Sequence, residues 1–250
     1  MKERGFSGSP RSAIAALIMS SITANLQAVK QRIEGAVHAA GRPAQAVQLV
    51  AVSKTFGPEA VREAAAAGQR DFGENYVTEG VDKIRGLRAL GLTWHYIGPI
   101  QSNKTRLIAE HFDWVHTIDR EKVAARLSDA RGPAQTELQV CIQVNVSGES
   151  SKAGAAPEGI ASLARKVAGL PRMKLRGLMA IPESTSDERL QRRRFAQLRA
   201  LRDELNRDGL ALDTLSMGMS ADMEAAIAEG ATMVRIGTAI FGERNRKAAA

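Results

Sequence analysis

The sequence contains a single cysteine, Cys141, in 250 residues, so no intramolecular disulfide can form and the fold rests on packing, as suits a reducing compartment. Cys141 itself sits in an apolar run and reads as a small buried residue rather than a nucleophile. Phe, Trp and Tyr make up only 4% of the chain although 44% of it is hydrophobic. The core is therefore built from Ala, Val, Leu and Ile, as in parallel sheets covered by helices. No apolar run approaches the roughly 20 residues that span a bilayer. Ala13–Met19, preceded by Lys2, Arg4 and Arg11, bears a faint likeness to a signal peptide but is at the short limit for one. With the Gly-, Ser- and Pro-rich stretch before it, residues 1–20 read instead as a disordered N-terminal extension. Zinc-ligand spacings, RNP patterns and aromatic–basic interleaving are also missing, so the net charge of +8 does not point to nucleic acid. Much of that charge lies in Glu188–Arg207, where Leu190, Phe195, Leu198, Leu201 and Leu205 mostly keep a helical period and leave the arginines on a solvated face.

What is present is alternation. Ile22, Leu26, Val29, Ile33 and Val37 predict a leading helix, stopped by Gly41 and Pro43. Strand-length apolar runs follow at Gln48–Ser53, Arg70–Glu74, Thr93–Gly98, Trp114–Ile118, Leu138–Val146, Lys174–Ile181, Thr214–Met217 and Met233–Ile236. Between them lie amphipathic stretches at Pro58–Ala67, Tyr76–Leu90, Lys104–His111, Arg120–Asp129, Pro157–Ala168, Asp187–Arg207 and Ala221–Glu229. Strands alternating with helices imply a parallel sheet with right-handed crossovers. An open doubly wound sheet is the alternative; eight repeats in one domain of this length favour a single (β/α)8 TIM-type barrel over residues 21–246.

A barrel of this kind carries its site at the C-terminal ends of the strands, and side chains alternate faces along each strand. Lys54, Asn75, His95, Asn145, Ser216 and Arg235 are then inward groups at or near strand ends. SMGMS supplies Ser216, Gly218 and Ser220 just before a helix, and RIGT supplies Gly237 and Thr238 after the last strand. Loops after strands seven and eight are the usual phosphate site of this fold. A lysine amine near a phosphate site can form an imine with a carbonyl ligand. Lysine, phosphate cradle and strand-end arginine together suit a phosphorylated aldehyde, of which pyridoxal 5′-phosphate (PLP) is one. On these residues a class I aldolase-type lysine and a racemase-like PLP enzyme stay open beside a PLP-binding protein.

The stretches AVSKTF, DFGENYVTE, WHYIGPIQSNK, QVNVSGESSKAG, GLMAIP, LSMGMSADMEAAI and VRIGTAIFGER, spread over residues 22–244, closely resemble those of the pyridoxal phosphate homeostasis protein family. The resemblance implies a barrel like the N-terminal domain of bacterial alanine racemase, with PLP carried as a Schiff base on Lys54. It implies that Ser216, Gly237 and Thr238 hold the phosphate, that Arg235 faces the pyridine nitrogen, and that Asn75 and His95 flank the ring. Met217 and Met219, or their backbones, would line the pocket. It further implies a non-catalytic role in intracellular PLP homeostasis, holding, buffering or delivering PLP in the cytoplasm as a monomer, with apo PLP-dependent enzymes as recipients. No metal is implied. Family members usually begin near the leading helix, which makes Met19 a candidate start and sets the residues before it apart from the expected mature protein.

Overall fold

Short apolar runs become eight parallel strands, each followed by a helix. The computed structural model describes residues 10–149 and 153–243. In chain order these form α1 (Pro10–Ala39), β1 (Gln48–Val52), α2 (Pro58–Ala66), β2 (Asp71–Glu74), α3 (Val77–Gly86), β3 (Thr93–Tyr96), α4 (Thr105–His111), β4 (Trp114–Ile118) and α5 (Glu121–Ala130). Then come β5 (Leu138–Gln143), α6 (Ile160–Ala168), β6 (Met173–Met179), α7 (Glu188–Arg207), β7 (Thr214–Ser216), α8 (Met223–Ala228), β8 (Met233–Ile236) and α9 (Thr238–Phe241). Neighbouring strands pair in sequence order and β8 pairs with β1, which closes the barrel.

Strands such as β4 are buried along their whole length, which is why they read as continuous apolar runs without alternation. Their outward side chains join the helices in one large core. Inside the barrel, Trp114, Cys141, Met179 and Met233 pack as a second, small cluster. Burial there pushes the Cys141 thiol up to about 12, so it packs and does not react.

Helix α1 buries Ile22, Leu26, Val29, Ile33 and Val37, as their spacing predicts, and lies against α2, α8 and α9, across the β8–β1 seam. It begins at Pro10, ahead of the first residue in that pattern. Of the extension expected over residues 1–20, residues 1–9 lie outside the described residues. Strand β5 stops at Gln143, short of the predicted Val146, because Val144 turns to bridge Ala155 and Asn145 donates its backbone N–H to the Ala155 carbonyl (3.0 Å). Helix α7 buries Phe195, Leu198 and Leu205. Its outer arginines are partly engaged: Arg192 and Arg199 both pair with Glu229, and Arg194 with Glu183. Among the described residues no helix is long and apolar enough to cross a membrane.

Candidate functional site

Lys54 follows β1 in a turn that the local sequence holds tightly. Phe56 donates its N–H to the Ser53 carbonyl, and Thr55 between them sits at φ +69°. A threonine in the left-handed region costs on the order of 1–2 kcal/mol, so something must hold it there. The Thr55 N–H donates to Glu79 Oε1 at 2.6 Å. Glu79 is bound in turn by Lys83 Nζ (2.6 Å), one helical turn further along α3. Lys83 also donates to the Ser53 carbonyl (2.7 Å) and to Glu74 Oε1 (2.8 Å), and the Ser53 hydroxyl donates to the same Glu74 oxygen. Lys83 and Glu74 are almost wholly excluded from solvent. Burial raises the Glu74 pKa, and Lys83 pulls it back only in part. The backbone on both sides of Lys54 is thus pinned by one buried charge cluster.

Beyond this turn lies a cavity of about 250 Å³ at the C-terminal end of the strands. Its wall includes Lys54, Asn75, Met219, Ser220, Arg235, Gly237 and Thr238, seven of the residues expected there, together with Phe56, Ile97 and Ile181. Asn75 is set in place by a close approach: a Cβ on Gly98 would stand 2.2 Å from the Asn75 carbonyl oxygen. The Asn75 side-chain oxygen is buried and has no hydrogen-bond partner in the protein. Gly218, at φ +95°, bends the chain off β7 so that Met219 and Ser220 reach the cavity. Among the described residues, the backbone N–H groups of Ser220, Ala221 and Gly237, all on the cavity wall, find no acceptor. Arg235 is buried, with Nη1 donating to Ser216 Oγ (2.7 Å) and Nη2 to the Ala180 carbonyl (2.9 Å). Burial pushes its pKa down to about 10, with Asp222 opposing the shift, so it remains a cation at neutral pH. One cavity therefore offers an amine, a buried cation, orphan N–H donors and an orphan amide oxygen. That set matches an anionic ligand bearing an electrophilic carbon and a polar ring.

The residue pattern matches known proteins over nearly its whole length. The family described as "Alanine racemase, N-terminal domain" matches residues 21–245. The pyridoxal phosphate homeostasis protein of Pseudomonas aeruginosa is 59% identical over 227 residues, which is 91% of this chain and 97% of that protein. That of Escherichia coli K12 is 53% identical over 230 residues, covering 91% and 98%. The chain belongs to the pyridoxal phosphate homeostasis protein family. Among solved structures, PipY of Synechococcus elongatus, described with PLP bound, aligns with a TM-score of 0.78 and 39% identity over 88% of this chain and all of that one. Alanine racemase from Corynebacterium glutamicum shares the fold, with a TM-score of 0.67 at 17% identity, over 93% of this chain and 63% of its own.

Within the family's barrel, four of the expected residues stand away from the cavity wall, and strand register explains two of them. His95 points inward, but it pairs with Gly73, so the β3 residue level with Asn75 is Ile97. His95 lies a layer deeper, fully buried and stacked on Trp114 (5.5 Å). Ser216 is level with Met233, one layer beneath Arg235, and its hydroxyl is taken by Arg235 and His116. The hydroxyl of that loop on the cavity wall is Ser220. Met217 points to the opposite face of β7 and is buried in the outer core, whereas Met219 is 37% exposed at the cavity. Asn145 is tied into its own loop by Glu149 and Gly148. Glu74, Glu79 and Lys83 support the site without belonging to any of its motifs' expected contacts. The available signal was an acid, Glu74, on the outward face of a core strand, with an i,i+4 Glu–Lys pair just after it.

Proposed function

We propose that this protein binds PLP in the strand-end cavity, holds it as a Schiff base on Lys54, and serves as a carrier that buffers or delivers it rather than as an enzyme. The observation that carries this reading is the convergence of Lys54, buried Arg235 and the unengaged N–H groups of Ser220, Ala221 and Gly237 on one cavity. Bound PLP would supply an aldehyde, whose carbon joins Lys54 Nζ as C=N with loss of water. Ser220, Thr238 and the Gly237 N–H would hold the phosphate. Arg235 would face the ring nitrogen; as a permanent donor it leaves that nitrogen unprotonated and a poor sink for electrons. Asn75 would offer its unpaired oxygen beside the ring. The names of the relatives and the PLP in PipY support the same ligand.

The carrier reading also draws on what surrounds the cavity. Racemisation needs acid and base groups on both faces of the cofactor. The two tyrosines are badly placed for that work. Tyr96 donates its hydroxyl to the Pro99 carbonyl, and burial pushes its pKa up to about 12, while Tyr76 is exposed on a neighbouring hollow. We place the protein in the cytoplasm, as a monomer, with apo PLP-dependent enzymes as its recipients.

The test is a visible spectrum of the purified protein with PLP, before and after borohydride reduction, followed by peptide mapping. The expected result is a yellow protein whose reduced adduct sits on Lys54. An adduct on Lys104, which lines the adjoining hollow with Asn75 and Tyr76, would move the site. Sustained turnover of an amino acid would replace the carrier reading by an enzymatic one.

The phosphate cradle has its own check. Ser220→Ala combined with Thr238→Val should weaken PLP by about tenfold or more, since a hydrogen bond to a charged group contributes about 1.5–3 kcal/mol. Pyridoxal, which lacks the phosphate, should bind the variant and the parent alike. Equal losses for the two ligands would show that these hydroxyls do not touch phosphate.

A further inference from the structure

Beneath the cavity a line of polar side chains runs down the barrel interior, where apolar packing is the rule. Arg235 Nη1 lies 2.7 Å from Ser216 Oγ, which lies 2.7 Å from His116 Nδ1. His116 Nε2 lies 2.9 Å from His95 Nδ1, and His95 Nε2 lies 3.0 Å from Asp71 Oδ1. Ser216, His95 and His116 are wholly buried. Asp71, the first residue of β2, reaches the opposite end of the barrel and lines a hollow there with Gln69 and Arg70.

The chemistry of the two ends sets the direction of every bond between them. A guanidinium can only donate, and a carboxylate can only accept. Ser216 Oγ therefore accepts from Arg235 and sends its own hydrogen to His116 Nδ1. His116 must then carry its hydrogen on Nε2 and donate to His95 Nδ1. His95, likewise protonated on Nε2, donates to Asp71. Each internal group donates once and accepts once, and both imidazoles are neutral. The reverse direction would set the lone pair of a neutral His95 against the Asp71 carboxylate and leave the Ser216 hydrogen without an acceptor. Burial, reinforced by the Arg235 charge, holds the His116 pKa well below its ordinary value, in keeping with a neutral ring.

We propose that Asp71, His95, His116 and Ser216 are positioning residues for Arg235: a one-way hydrogen-bond chain fixes the guanidinium at the cavity and ties it to the far end of the barrel. The part that concerns PLP rests on the carrier reading above; the direction of the chain does not. With its Nη1 anchored on Ser216 and its Nη2 on Ala180, Arg235 has one defined pose toward the ligand.

Two measurements test this. In cofactor-free protein at neutral pH, ¹⁵N NMR of the imidazoles should show His95 and His116 both as neutral Nε2–H tautomers. An Nδ1–H on either ring would overturn the chain. In PLP titrations, His116→Leu breaks the chain and should weaken binding about tenfold while shifting the visible band of bound PLP. His116→Gln, whose amide can accept from Ser216 and donate to His95, should stay within about threefold of the parent and keep its band. No loss in either variant, or equal loss in both, would overturn the proposal. If His116→Leu does not fold, the Gln variant and the tautomers still decide it. If the parent itself takes up no PLP, the carrier reading fails, and the tautomers alone decide the chain.

Discussion

Lys54→Ala should give a protein that folds as the parent does and cannot keep its cofactor. Lys54 is only half-buried and belongs to a turn pinned through its neighbours, so shortening it should leave the fold intact. The ligand, by contrast, loses one of two linked attachments. In the proposed binding mode the phosphate cradle and the covalent bond act on one small molecule, so each would raise the effective concentration for the other. Linked attachments of this kind typically multiply affinity by about 10²–10⁴. The expected result is a loss of PLP affinity on the order of a hundredfold or more, with a colourless protein after gel filtration. Borohydride should fix nothing. Residual binding of PLP over pyridoxal should persist through Ser220, Gly237 and Thr238. A Lys54→Ala protein that still yields a reduced adduct would show that another amine carries the cofactor.

Lys83→Met should have the largest effect on stability. It leaves the Glu74 carboxyl, wholly buried, without its cation, and breaking a buried pair from one side typically costs about 3–5 kcal/mol. The pH dependence identifies the cause. Glu74 already has a raised pKa in the folded protein, and losing Lys83 raises it further. A carboxyl whose folded pKa is raised favours the folded state in acid, where it is protonated in both states. That contribution is lost as pH rises from the ordinary carboxylate range through the raised folded value. The deficit of Lys83→Met against the parent should therefore be small in mild acid and widen toward neutral pH, as read by urea midpoints across that range. A deficit that widens in acid would show that Lys83 is not the partner of Glu74. PLP binding should weaken too, because Thr55 loses the Glu79–Lys83 support that holds it at positive φ beside Lys54.

Much of this was readable from residue order because parallel strands are buried on both faces, so strands such as β1, β4, β5 and β8 stand out as apolar runs with breakers around them, whereas β2 (DFGE) and β7 (TLS) do not. Alternation along those runs was enough to turn Lys54, Asn75 and Arg235 toward the cavity. It could not set their height. Height depends on which residue faces which across the barrel, and the sequence of one strand is silent about its neighbour's register. His95 and Ser216 were therefore turned inward correctly and placed too high. Met217 was drawn toward the site by its motif, although alternation from Ser216 sends it outward. The Glu74–Lys83 pair was hidden for a different reason: a buried charge looks like any exposed one until its partner is known to share the core.

The β8–β1 seam has a consequence for synthesis. Lys54 lies near the start of the barrel, while Arg235, Gly237 and Thr238 come from its last strand and the turn after it. On the ribosome the lysine emerges early and the cradle last. A partial chain that stops short of β8 cannot present both, and the seam that unites them is covered by α1, which precedes β1 in the chain and packs on α8 and α9. Such pairing of distant segments is slow and comes late in folding. A nascent chain that has not yet reached β8 thus exposes Lys54 without the last strand and turn that line the cavity with it.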